Sequence, residues 1–142
     1  MLLDANILLY AVDQTSPHHE PAASWLTKSL NGTQRIALPW QTIGAFVRIS
    51  THPRISERPL SGIAAWAIVE TWLSRELVWI PPTSERTARI FGELVAKSGA
   101  TGNLVTDAQL ASLAIEHGLP VVSADTDFDR FAGVHRINPV LA

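Results

Sequence analysis

Short, nearly continuous apolar runs alternate along the chain with longer stretches in which apolar residues recur every three or four positions. The first pattern marks strands and the second helices. Leu2 and Leu3 predict an opening strand that meets Asp4, and RIALP at 35–39 a second. LVWIP at 77–81, PVVSAD at 120–125 and VHRIN at 134–138 extend the series. PVVSAD is apolar without alternation, as expected of a strand covered on both faces. Helices are predicted to begin near Asn6 and to span 17–30, 39–50, 60–74, 85–97 and 106–117, the last stopping at Gly118. Alternating strands and helices predict a three-layer α/β/α sandwich around a mainly parallel sheet. No repeat or linker interrupts the pattern, so residues 1–142 are expected to form one domain.

The carboxyl ends of parallel strands share one edge, where ligands bind. Asp4 is expected there after the first strand, and Asp125 after the fourth, followed by Asp127 and Asp129. Asp107 precedes Leu110, Ala111 and Ala114 at helical spacing, which makes it the polar head of an apolar stripe. A first-turn position would favour its ionised form, and Thr106 is a candidate cap. Each aspartate alone also fits a plain structural role as turn, cap or solvated loop residue. Convergence of Asp4, Asp107 and Asp125 changes that reading, because clustered carboxylates with no basic sequence neighbour either protonate or share a cation. A hard oxygen donor set suits Mg²⁺, or Mn²⁺, better than zinc.

Composition narrows the classes. The absence of cysteine excludes disulfides and thiolate metal sites and suits a reducing compartment, with the cytoplasm as the expected location. No run reaches the roughly 20 apolar residues of a membrane span, and no basic leader segment precedes Asp4. A net charge of −2 gives no general attraction to nucleic acid, so a polyanion must be held by a local patch or by metal. Hydrophobic residues make up 46% of the chain and charged ones only 17%, which predicts a surface covered by a partner.

These motifs, in this order, resemble the PIN domain, and within it the VapC-type toxins of bacterial toxin–antitoxin pairs. LLDANILLYA is similar to the opening Asp-x-Asn strand and turn of that family, GNLVTDAQLASLAIEHG to its Asp-Ala-x-Leu-Ala helix, and VVSADTDFDRF to its closing Asp-x-Asp-Phe segment. The resemblance implies a metal-dependent endoribonuclease, commonly homodimeric and silenced by a cognate VapB-type antitoxin. It places Asp4, Asp107 and Asp125 as metal-holding and catalytic acids, Asp127 as a reserve acid and Asn6 as a support for Asp4. The implied reaction is hydrolysis of RNA phosphodiesters by water that the metal activates. One departure stands out: the family often carries a glutamate early in its third helix, where this chain has Ala45, with Gln41 the nearest polar residue.

Arg48, Arg54 and Arg58 lie within eleven residues and read either as an RNA-contacting rim or as a solvated loop. LSGIAAWAIVETWL is apolar around most of its circumference, which fits core packing for a single tryptophan and an antitoxin surface for Trp66 and Trp72 together. Nothing pairs His18, His19, His52 or His117 for metal-free acid–base catalysis. Two rivals to a nuclease remain. An aspartate-based phosphatase or phosphotransferase would use Asp4 as nucleophile, but Asn6 stands where its second acid belongs and only Lys28 and Lys97 could clamp phosphate. A non-catalytic RNA- or protein-binding module is the other, kept open by Ala45.

Overall fold

The computed structural model describes residues 1–141. Five two-residue strands, β1 (Leu2–Leu3), β2 (Ile36–Ala37), β3 (Val78–Trp79), β4 (Val121–Val122) and β5 (Arg136–Ile137), form one sheet in the order β3-β2-β1-β4-β5. Every pairing is parallel. The order reverses between β1 and β4, where Leu2 pairs with Val121 and Leu3 with Val122. Helices leaving β1 and β4 therefore diverge to opposite faces and open a crevice at the carboxyl edge.

Alternation along each strand sends side chains to both faces. Leu3, Ile36 and Val122 join a core with Phe46, Val69 and Trp72. That core is covered by α1 (Ala5–Val12), α2 (His19–Leu30), α3 (Trp40–Ser50) and α4 (Gly62–Leu73). Leu2, Ala37 and Val121 join Leu94, Leu110, Leu113 and Phe128 on the other face. There α5 (Glu85–Ser98), α6 (Asn103–His117) and a 3₁₀ turn, Thr126–Arg130, provide the cover. The three-layer α/β/α arrangement is thus the expected one, with a sheet that is parallel throughout.

Local chemistry sets the helix limits. Asp4 caps α1 by accepting from the Ala5 N–H at 2.8 Å. Ser84 and Thr87 form a capping box on α5, which ends at left-handed Gly99. The expected start of α6 at 106 is corrected to Asn103, because Gly102 at φ 59° turns the chain into the helix with no side-chain cap. Thr106 is therefore not a cap, and Asp107 lies in the second turn, where the helix dipole acts weakly. α2 begins at His19 rather than Pro17, and Ser61, not Leu60, introduces α4. The α4 tryptophans divide. Trp72 is buried edge-to-face against Phe46, whereas Trp66 is 41% exposed and Ile63 86%.

Phe128 ties the 3₁₀ turn to α6: it is fully buried in the core shared with Ala108, Ala111 and Phe131. Phe128→Ala is expected to lower unfolding free energy by about 3–5 kcal/mol in urea denaturation, since a large void opens between two elements that carry site aspartates.

Candidate metal centre at the sheet switch point

The end of β1 and the end of β4 meet through one buried hydroxyl. Ser123, with no exposed surface, donates from Oγ to Asp4 Oδ2 at 2.6 Å. The same oxygen accepts from Asn6 Nδ2 at 3.1 Å and from the Asp125 N–H at 2.9 Å. Asn6 Oδ1 in turn accepts from the Ala124 N–H at 3.4 Å. Asn6 thus acts on Asp4 through Ser123. This hydroxyl was not singled out in the sequence; its only signal there is a small polar residue closing an otherwise apolar strand.

Asp125 opens the 3₁₀ turn, with Oδ1 accepting from the Asp127 N–H at 2.9 Å. That local turn aims both carboxylates toward α6. Carboxylate oxygens of Asp107, Asp125 and Asp127 lie within 4.8 Å of one another, and all three residues are partly buried. Among the described residues this is the one acidic group of that tightness. Asp4 stands beside it rather than in it, with its oxygens engaged by Ser123 and Ala5. Asp129 is drawn off: Arg136 donates to both its oxygens at 3.0 Å and holds its carboxyl below the usual range.

Electrostatics single out Asp107. Burial pushes its carboxyl up to about 7, and the charges of Asp125, Asp4 and Asp127 add to that push. Burial also raises Asp4, against donation from Ser123 and Ala5, which lowers it, with Asp125 adding a further rise. Among the described residues the one cation paired directly with the trio is Arg130, whose Nε lies 3.3 Å from Asp127 Oδ1 in a pair exposed to solvent, while Arg136 acts on Asp125 by charge without a salt bridge. An exposed pair contributes little compensation. A group of partly buried carboxylates short of positive charge is the donor set a hard divalent cation fits, with an oxygen available from each of three residues.

Other expected residues lie elsewhere. Arg48 is exposed on α3, and Arg54 and Arg58 are exposed in the following loop, with no ion pair among the described residues. Ala45 is partly buried in the middle of α3 and supplies no acid. His18 stacks near Tyr10 and His117 against Trp79, so neither joins the carboxylates.

A family model described as PIN domain matches residues 1–134. Ribonuclease VapC37 of Mycobacterium tuberculosis (strain ATCC 25618 / H37Rv) is 41% identical over 138 residues, covering 97% of this chain and 96% of the relative. Ribonuclease VapC33 from the same strain is 38% identical over 137 residues, with 96% of each covered. Among solved structures, Mycobacterium tuberculosis VapC20, described as a sarcin-ricin loop cleaving toxin, superposes with TM-score 0.70 at 18% identity, covering 97% of this chain and 98% of that one. The Rickettsia felis VapBC2 complex, bound to a DNA fragment from its promoter, gives 0.67 at 19%, with 96% of each chain covered.

Two outcomes follow from the charge arrangement. Asp107 has a folded pKa above its unfolded one, so its contribution to stability is present below about pH 4 and lost as pH rises toward about 7. In EDTA, urea denaturation is expected to show that loss; Asp107→Asn removes it, and Mg²⁺ stabilises the unchanged protein more at pH 8 than at pH 5. Ser123→Ala, which strips Asp4 of its orienting donor, is expected to weaken Mg²⁺ binding about 10–100-fold by calorimetry.

Proposed function

The chain belongs to the PIN-domain family, and from that premise we propose that it is a metal-dependent endoribonuclease, the toxin of a type II toxin–antitoxin pair. The observation that carries the reading is the gathering of Asp107, Asp125 and Asp127 beside Asp4 at the switch point, in a chain 41% identical to a VapC ribonuclease. We take Asp4, Asp107 and Asp125 as the principal acids, with Asp127 as a fourth carboxylate. Asn6 and Ser123 orient Asp4.

Mg²⁺ is the cation proposed, with Mn²⁺ as a substitute, since the donors are hard oxygens and the substrate is a phosphodiester. When bound, it offsets charge on the phosphate and acidifies the attacking water. The protein's own part is to hold four carboxylates in one place despite their repulsion. Ser123 keeps Asp4 turned toward β4, and the 3₁₀ turn keeps Asp125 and Asp127 together. A carboxylate not occupied by the cation accepts the proton of the attacking water. The cation also reverses the local sign of the field, which lets a chain of net charge −2 receive RNA.

The partner reading follows the VapBC relatives. A VapB-type antitoxin is proposed to silence the enzyme, with the exposed apolar face of α4 around Ile63 and Trp66 as its seat. A homodimer working in the cytoplasm completes the proposal; among the described residues no helix is long and apolar enough to cross a membrane.

Purified protein is expected to cleave single-stranded RNA in Mg²⁺ and to stop in EDTA, with ends mapped by sequencing. Asp107→Asn is expected to reduce the rate at least about 100-fold, the scale of losing a metal's charge stabilisation. Phosphate release from monoesters with RNA left intact would instead favour the phosphatase alternative.

A further inference from the structure

The chain that leaves β2 carries a feature the reaction above does not use. Leu2 of β1 pairs with Ala37 of β2, so Asp4 and Trp40 emerge from the same sheet edge on neighbouring strands, which lie about 4.8 Å apart. The buried Thr42 hydroxyl donates to the Leu3 carbonyl at 2.7 Å and fixes the start of α3 against the residue preceding Asp4. Thr42, Ile43, Phe46 and Ser50 turn inward. Trp40, Gly44 and Arg48, spaced by four, share the opposite, exposed face.

Trp40 is 68% exposed, and among the described residues it has no aromatic or cation–π partner. A large ring left in water beside a proposed phosphodiester site needs an occupant. Gly44 leaves the middle of the stripe open, with nothing within 4 Å of where a Cβ would stand. Arg48 lies eight residues along, about 12 Å from Trp40, and among the described residues has no carboxylate partner. An aromatic plane, a bare gap and an exposed guanidinium in line match a base, a sugar–phosphate step and a phosphate.

We propose that this face of α3 is the track for single-stranded RNA, with an unpaired base stacked on Trp40 beside the carboxylates and Arg48 contacting the backbone farther along. The proposal rests on the ribonuclease reading and adds to it the residue that grips a base. Stacking of this kind tolerates every base, so Trp40 supplies grip and register while sequence preference arises elsewhere.

The test compares the unchanged protein with Trp40→Ala, Trp40→Phe and Arg48→Gln on a 12-nucleotide RNA, and on an abasic sugar–phosphate strand of equal length. Cleavage is followed in Mg²⁺, and binding in Ca²⁺, which supplies the same hard divalent charge at the carboxylates. Trp40→Ala is expected to raise KM and Kd about 5- to 150-fold with kcat little changed, the range base–aromatic stacking spans. Trp40→Phe restores most of the loss, and the abasic strand does not distinguish the Trp40 variants from the unchanged protein. Arg48→Gln lowers the salt dependence of binding by about one charge. An unchanged KM in Trp40→Ala overturns the proposal while leaving the ribonuclease reading intact. So does an equal loss on the abasic strand, or a shift in sedimentation showing that a second copy covers Trp40. Failure of the unchanged protein to bind or cut any RNA removes both readings together.

Discussion

Parallel pairing of β1 with β4 is the constraint on which the rest of this molecule depends. It joins Leu2 and Leu3 to Val121 and Val122, strands separated by most of the chain. Apolar burial on both faces drives the pairing, since all four side chains are almost inaccessible to water. The polar consequence appears one step past the strands. Ser123 reaches Asp4, and the ends of the two strands become one hydrogen-bonded unit with Asn6 and the Asp125 backbone. The reversal of strand order at this same pairing keeps helices from covering that unit, so the crevice and the carboxylates coincide by topology.

That coincidence carries an electrostatic cost which explains the site's chemistry. Four aspartates approach one another in partial burial, and burial first, then the charges of Asp125, Asp4 and Asp127, push Asp107 up to about 7. Arg136 could have relieved the site, but its guanidinium is committed to Asp129 and to the Ser123 carbonyl. It braces the loop and reaches the trio only through a charge interaction with Asp125. The stable resolution is a divalent cation, which makes metal affinity and stability above neutral pH two expressions of one imbalance.

The absence of an acid at Ala45 fits the same frame. With α3 offering no carboxylate there, the acidic contribution comes from the β4 side, where the 3₁₀ turn presents Asp125 and Asp127 together through a single Asx-type hydrogen bond. α3 presents an exposed tryptophan and arginine instead, so the acids and these exposed groups come from different strands of one edge. Apolar exposure is similarly divided on α4, whose Trp72 belongs to the core and whose Ile63 and Trp66 do not. A helix apolar around its whole circumference conceals that division in sequence, because periodicity cannot assign a face when every face qualifies.

Alternation of strands and helices, both apolar faces of the sheet, and the presence of Asp4, Asp107 and Asp125 on one edge were legible from residue order, since burial periodicity is a local property of the chain. The start of α6 was not, because Gly102 enters the helix without a side-chain cap and Asp107 consequently sits a turn deeper than Thr106 suggested. Nor was the central role of Ser123, whose three hydrogen bonds join partners up to 119 residues away. Which acids form the tight group was decided only in three dimensions. Asp127 entered it through the 3₁₀ turn, Asp129 left it for Arg136, and Asp4 was held beside it by Ser123. Sequence determines which carboxylates reach the edge, because strand ends follow from local pattern; distance between them, and hence charge and metal affinity, depends on packing that no local pattern encodes.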